Sequence, residues 1–182
     1  MYGKISTAIL LIFVAHMEIQ EYLFPATHAH SYGIRDFANT REPIWTYNTT
    51  KTEAVRCRCD QMRFIDPVFI GFNRTMLHNR RRVSLELLGQ FSRTRVTEMF
   101  IFHGHVQLST EILVFKTPDS SCGIIVTKSS VRNATFVDLR IRDSFIKGGP
   151  RRECRRKFSR IARTGRVIYR SSCSKELRKA LL

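Results

Sequence analysis

Short apolar stretches recur along most of the chain between Ile44 and Asp143, and many of them alternate with polar residues. In the clearest case Val83, Leu85 and Leu87 alternate with more polar positions, which is the period of a half-buried strand. Sequence patterns of this kind predict strands over residues 44–47, 54–64, 67–77, 82–91, 96–106, 111–115, 123–127 and 136–142. About eight short strands at this close spacing indicate an antiparallel barrel or sandwich.

The hydrophobic period changes after the last of these strands. Pro150 and Gly165 enclose a segment with a narrow apolar stripe at helical spacing, and the opposite face is almost entirely Arg and Lys. The stripe consists of Cys154, Phe158, Ile161 and Ala162. Pro150 suits the first turn of a helix and Gly165 its C-terminal cap. The pattern therefore predicts one amphipathic helix packed against the outside of the sheet, followed by a tail to Cys173.

The N-terminus has the pattern of a secretory leader. Lys4 precedes an apolar run over residues 5–15, which is too short to span a bilayer. A buried N-terminal helix would explain the run less well, because the run begins directly behind a charge near the terminus. Small residues at Thr27 and Ala29 favour cleavage after Ala29, although an earlier cut is also compatible. We expect a signal peptide over 1–29, a single domain over 30–182 and no membrane span.

Cysteines and glycosylation motifs point to the same extracellular compartment. Five cysteines follow the leader, at positions 57, 59, 122, 154 and 173. Three N-glycosylation motifs begin at Asn48, Asn73 and Asn133. Together they predict a secreted, oxidised and glycosylated protein. The odd cysteine count favours two disulfides and one spare thiol, and spacing alone leaves the pairing open.

Composition is that of a globular protein with a strong basic excess. The 182 residues are 43% hydrophobic, and 31 Lys and Arg face 15 Asp and Glu, which gives a net charge of +16. Between Arg140 and Arg170 there are twelve basic residues and two acidic ones, and 80–82 is a second basic cluster. Such runs are usually solvated faces. This excess also suits a polyanionic glycan bound by the helix at 150–164, whereas the leader argues against a nucleic acid partner.

Motifs for catalysis and metal binding are weak. His103 and His105 could share a strand face, but no third ligand stands at a recognisable spacing, so exposed loop histidines are the better interpretation. The chain has no Gly-rich phosphate loop and no Gly-x-Ser-x-Gly motif. We expect no enzyme activity, no cofactor and no metal site.

Several fragments, taken in order, carry a family resemblance. They are EPIWTYN at 42–48 followed by Cys57, CGII at 122–125, DLRIRDS at 138–144 followed by Cys154 and Phe158, and VIYR at 167–170 followed by Cys173. In this order the chain resembles the tick salivary lipocalins, whose best-known members are histamine-binding proteins. The resemblance covers residues 42–173, and about 60–115 has diverged.

The resemblance implies a mainly β fold: an eight-stranded antiparallel lipocalin-type barrel around a cavity, with one C-terminal amphipathic helix outside. It also implies disulfides between Cys57 and Cys173 and between Cys122 and Cys154. Cys59 would then be a buried free thiol or a dimerising one, or it could replace Cys57 in the pairing. We expect a monomer.

The resemblance further implies an amine site. Glu42, Trp45 and Asp138 match positions of the histamine-binding members, in which acidic side chains inside the barrel hold the amine. Two positions depart from that pattern: Gly123 replaces an acid, and Arg140 replaces an aromatic residue. These departures predict that one amine site could survive and that another is lost.

Strand parity leaves two interpretations of the strand at 136–142 open. If Asp138 points inward, Arg140 and Arg142 share its face and favour an anionic ligand; if Val137, Leu139 and Ile141 point inward, the charged set is solvated. We expect sequestration of a small host mediator, first histamine or serotonin, that suppresses host inflammatory or haemostatic defence. The alternatives are an anionic lipid mediator such as a leukotriene, thromboxane or fatty acid, and a glycan- or protein-binding module without a small ligand.

Overall fold

The computed structural model describes residues 33–180, and the expected leader at 1–29 lies outside the described residues. Within these residues, nine strands and four helices follow in chain order. They are α1 (Ile34–Ala38), β1 (Ile44–Thr49), β2 (Val55–Ile65), β3 (Phe69–His78), β4 (Arg81–Phe91), β5 (Glu98–His103), β6 (Val106–Lys116), β7 (Cys122–Ser129), β8 (Thr135–Arg142), α2 (Asp143–Ile146), α3 (Arg152–Ile161), β9 (Arg166–Val167) and α4 (Cys173–Lys179).

The sheet closes on itself. Strands β2 to β8 pair antiparallel in sequence order, β8 pairs with β1, and β1 pairs with β2. Strand β9 pairs antiparallel with the C-terminal end of β1, at Asn48 and Thr49. This confirms the predicted eight-stranded antiparallel barrel. The predicted strand at 96–106 is wrong in one respect, because Gly104, at a φ of 57°, makes a tight turn between β5 and β6.

Two apolar clusters lie on opposite sides of the barrel wall. One fills the interior and includes Ile34 and Phe37 of α1, which are 1% and 2% exposed. The other lies between the wall and the C-terminal segments, and it includes Trp45, Leu139 and Phe158. Strands β1 and β8 are therefore buried on both faces, which accounts for the continuous burial of residues 138–141.

The amphipathic helix packs outside the barrel as predicted, but its end differs. Helix α3 buries Cys154 and Phe158, whereas Ile161 is 36% exposed. Its C-terminal cap is Ala162, so the assignment of Gly165 as the cap is wrong. Gly165 has a different role, because a Cβ there would lie 2.6 Å from Asn48 Oδ1 and 2.8 Å from the Phe158 ring. The chain needs glycine where it passes between these two side chains.

Two disulfides join the C-terminal helices α3 and α4 to strands of the barrel. Cys122 of β7 is bonded to Cys154 of α3, and Cys57 of β2 is bonded to Cys173 of α4. These are the pairs that the resemblance implies. Cys59 is a buried free cysteine. No helix among residues 33–180 is long and apolar enough to cross a membrane.

Candidate functional site

A network of six charged side chains crosses the barrel interior. It joins three arginines to three carboxylates, so its formal charge is zero. Its members are Arg58 and Asp60 of β2, Arg74 of β3, Glu111 of β6, and Asp138 and Arg140 of β8. Because β2 and β6 lie on opposite sides of an eight-stranded barrel, the network bridges the interior.

Arg140 is the central residue of the network. Its Nη1 and Nη2 donate to Glu111 Oε2 and Oε1 at 2.7 and 2.8 Å, and Nη2 also donates to Asp138 at 3.2 Å. Nη1 reaches Asp60 at 3.4 Å. Arg74 completes this half by donating to both oxygens of Asp60, at 2.8 and 2.7 Å, and to Glu111 at 2.9 Å.

Asp138 is fully engaged by protein donors. Thr49 Oγ1 donates to Oδ1 at 2.6 Å, and Arg58 and Arg140 both donate to Oδ2. Burial alone would raise the pKa of Asp138, but the two arginines and Thr49 outweigh it and lower the pKa. The carboxylate is therefore ionised at neutral pH and already neutralised.

The network separates two cavities of different size. The open cavity has a volume of about 320 Å³ and reaches the surface at Val131 and Arg132, which are exposed. The inner cavity, on the other side, has a volume of about 30 Å³ and is bounded by Ile34 and Phe37 of α1. A space of that size holds a water molecule or two rather than an organic ligand.

The two cavities differ in charge. Four basic and two acidic side chains line the open cavity: Lys51, Arg58, Arg74, Arg132, Glu53 and Asp138. Three acidic side chains and one basic side chain line the inner cavity: Glu42, Asp60, Glu111 and Arg140. The network therefore presents its cationic side to the open cavity and its anionic side to the inner one.

The residues predicted for the ligand site do not form one site. Asp138 and Arg140 point inward and contact each other, as the first interpretation of strand parity requires. Glu42 lines the inner cavity and accepts a hydrogen bond from the Ser144 amide at 2.8 Å. Trp45 faces the outer cluster, where its Nε1 donates to Asp143 Oδ1 at 2.7 Å.

Two neighbouring positions explain why the inner cavity is small. A Cβ at Gly123 would lie 2.9 Å from the Phe37 ring, so glycine makes room for the aromatic side chain of α1. Arg142 does not reach a cavity, since it donates to the carbonyl oxygens of Asp36 and Phe37 at 3.2 and 3.0 Å. A cation at the C-terminal end of a helix is favourable, so Arg142 holds α1 in the barrel end.

Four network members were missing from the sequence-based site: Arg58, Asp60, Arg74 and Glu111. Arg74 lies at an inward position of β3 between the apolar residues Phe72 and Met76. By contrast, Arg58 and Asp60 are two residues apart on β2, and Glu111 has polar Ser109 on one side. A single charge at the apolar parity of a strand was therefore a signal for Arg74, but not for the other three residues.

The two histidines singled out in the sequence do not belong to a metal-binding cluster in the described part of the chain. His103 and His105 are exposed at the turn between β5 and β6. Residues 33–180 contain no group of three or more His, Cys, Asp or Glu side chains that could hold a metal ion.

Comparison with known proteins shows a similarity of fold. No protein-family model matches the sequence, and no curated protein matches it. Among solved structures, the chain resembles Japanin of Rhipicephalus appendiculatus bound to cholesterol, with a TM-score of 0.56 and 7% identity over 72% of this chain and 93% of that one. It also resembles the complex of AM182 with serotonin, with a TM-score of 0.57 and 16% identity over 79% and 91%.

A third similar structure is lobster apocrustacyanin A1, with a TM-score of 0.53 and 12% identity over 82% of this chain and 83% of that one. These neighbours are lipocalins. The chain therefore has the lipocalin fold.

Proposed function

We propose that the protein is a secreted lipocalin that sequesters a small amphiphilic anion in the open cavity. Two disulfides are typical of proteins in an oxidising extracellular compartment. Two structural neighbours are complexes with small molecules, cholesterol and serotonin. These likenesses support sequestration in general, and the charge of the ligand is argued from the cavity itself.

The excess of hydrogen-bond donors carries this proposal. Every carboxylate oxygen of Asp60, Glu111 and Asp138 accepts at least one hydrogen bond from the protein. By contrast, the Nη1 groups of Arg58 and Arg74 donate to no described residue, although both arginines line the open cavity. Because these two groups lack an acceptor among the described residues while the carboxylates are already paired, a ligand that supplies acceptors, such as a carboxylate, suits the cavity.

The rest of the lining suits an apolar body attached to that anion. Apolar side chains from β3 to β6 and from β8 face the cavity: Met76, Leu85, Leu87, Ile101, Leu108 and Phe136. The volume of about 320 Å³ lies near the lower end of the range for ligand pockets. A short fatty acid or a compact aromatic carboxylate matches both the size and the chemistry.

Calorimetry with three ligands that share one apolar body tests the sign of the charge. We expect octanoate to bind more tightly than octanol, and octylamine to bind most weakly. Changing both Lys51 and Arg132 to serine should weaken octanoate binding, because two cations at the cavity mouth are lost. The control Glu53→Gln should strengthen it. Octylamine binding as tight as octanoate binding would contradict the proposal.

An amine such as histamine or serotonin is the second candidate, favoured by the carboxylates around the inner cavity. Glu42, Asp60 and Glu111 would attract a cation there, but the space is too small while Phe37 occupies it. Histamine should therefore bind measurably better to Phe37→Ala than to the wild type. Adding Glu42→Gln should reverse that gain. Asp138→Asn should change the histamine affinity of the Phe37→Ala variant little, because Asp138 lines the open cavity and not the inner one.

From the resemblance, we also propose that the ligand is a mediator of host inflammation or haemostasis. The open cavity favours the anionic members of this group, such as a leukotriene, a thromboxane or a fatty acid. A calorimetric screen of these compounds beside histamine and serotonin tests the choice. Preferential binding of the amines to the wild-type protein would reverse our order of candidates.

A further inference from the structure

The outward side of α3 carries an unusual concentration of unpaired positive charge. We define the basic face as Arg152, Arg155, Arg156 and Arg160, all of which are exposed. None of these four forms an ion pair with a residue in the described range. The chain has only 15 acidic residues, and three of them are consumed by the internal network, so few remain to neutralise the surface.

The basic face is held rigidly. Cys154 of the same helix is fully buried and bonded to Cys122, and Phe158 is 5% exposed. Arg152, Arg156 and Arg160 follow at intervals of four residues, roughly 6 Å apart along the helix axis. Like charges at this spacing destabilise a helix, so an anionic partner along the face would relieve repulsion that the fold does not relieve itself.

A groove continues the basic face beyond the start of α3. It has a volume of about 350 Å³ and includes Arg151, Arg152, Arg155 and Phe145. The Phe145 ring is 39% exposed, and the Arg151 guanidinium lies 5.7 Å from its centroid. The groove therefore offers an aromatic surface for an apolar sugar face beside two cations that are unpaired within the described range, Arg152 and Arg155, for attached anionic groups. Arg151 is already paired with Asp119 at 2.5 Å.

We propose that this groove and the basic face together bind a linear sulfated polysaccharide of the heparan sulfate class. Arginine forks pair well with planar or tetrahedral oxyanions, and the row of arginines matches a chain that carries repeated charges. The choice of a glycan rests on the extracellular location proposed above. Single-stranded nucleic acid is disfavoured because the described lining of the groove offers one aromatic ring, Phe145, rather than a series of stacking platforms.

Binding to immobilised heparin compares two variants of equal net charge. The test variant changes Arg152, Arg155 and Arg156 to serine, and the control changes the exposed Arg41, Arg63 and Arg93 to serine. We expect the test variant to bind roughly tenfold more weakly than the control, and wild-type binding to weaken as salt is added. Phe145→Ala should weaken binding to a heparin oligosaccharide without changing the charge.

Three results would overturn the proposal. Equal heparin affinity of the two triple variants would remove the basic face as the contact. Unchanged affinity of Phe145→Ala would remove the sugar contact in the groove. Tighter binding of the wild type to single-stranded DNA or to phosphatidylserine vesicles than to heparin would assign the surface to another polyanion. Octanoate affinity measured on the same variants should stay unchanged, which separates this surface from the barrel cavity.

Discussion

Arg140 and Glu111 are joined inside the barrel by two parallel hydrogen bonds, while 6% and 0% of their side chains remain exposed. Such a two-pronged pair is among the stronger ion pairs in proteins, but each partner has lost its hydration. The pair therefore stabilises the fold only as long as both partners are present.

Removal of one partner should destabilise the protein more than removal of both. We expect Glu111→Gln and Arg140→Met each to lower the free energy of unfolding by about 3–5 kcal/mol, because each leaves an uncompensated buried charge. The double variant keeps two arginines and two carboxylates in the network and should be more stable than either single variant. Urea unfolding of the four proteins measures this coupling. Additive losses would contradict it.

Acid should weaken the fold through the same network. Burial would raise the pKa of Glu111, but Arg140 and Arg74 outweigh it and lower the pKa below its ordinary value of 4.5. Asp138 behaves in the same way, with its pKa held below 3.8. A carboxylate whose pKa is lower in the folded than in the unfolded state stabilises the fold at pH values above its unfolded-state pKa. This contribution is lost progressively as the pH falls from the unfolded-state pKa toward the folded-state pKa.

Urea midpoints should therefore decrease between about pH 5 and pH 3. The variant with both Glu111→Gln and Arg140→Met should show a shallower decrease, because it lacks one of the two carboxylates. A decrease of equal slope in both proteins would show that other groups control the acid response.

The free thiol of Cys59 should be unreactive in the folded protein. Burial, with help from the charges of Asp60 and Asp143, raises the pKa of this thiol, and the thiolate is the reactive form. Iodoacetamide should therefore modify Cys59 only after denaturation. Non-reducing peptide mapping should recover Cys57–Cys173 and Cys122–Cys154. Cys59→Ser should give the same map without the modified peptide, and a disulfide that contains Cys59 would refute the assignment.

The three glycosylation motifs should differ in occupancy. Asn133 is exposed in the turn between β7 and β8. Asn48 is paired on both sides, with β8 and β9, and its Oδ1 is buried. We expect a glycan on Asn133 and none on Asn48. Asn73 lies half-buried in β3, between these two extremes of exposure. In protein secreted from insect cells, Asn133→Gln should lower the mass by one glycan and Asn48→Gln should not.

Whereas the family resemblance favoured a barrel over a sandwich, local patterns were enough to predict the strands and the outer helix. They could not decide the orientation of β8, because α3 covers its outer face: Leu139 is 1% exposed, and Asp138 on the opposite face is 2% exposed. Alternation distinguishes the faces of a strand only when one of them meets water.

The site was predictable only in part, because it is built from distant strands. Arg58 and Asp138 are 80 residues apart in sequence and meet only when the sheet closes. A bulge near Cys57, which has a φ of 54°, also shifts the pairing of β2. The orientation of Arg58 therefore depends on an irregularity that a regular period does not reveal.

The ion network also affects how a ligand would move through the barrel. Because α1 and the network fill one end of the barrel formed by the described residues, the open cavity is a blind tube with a polar floor and a mouth beside Lys51 and Arg132. We therefore expect the proposed anionic ligand to enter head first if Arg58 and Arg74 hold its head group, with its tail toward the solvent. Compounds with the same head group and tails of different length should therefore share one docking point, and the cavity discriminates mainly by the head.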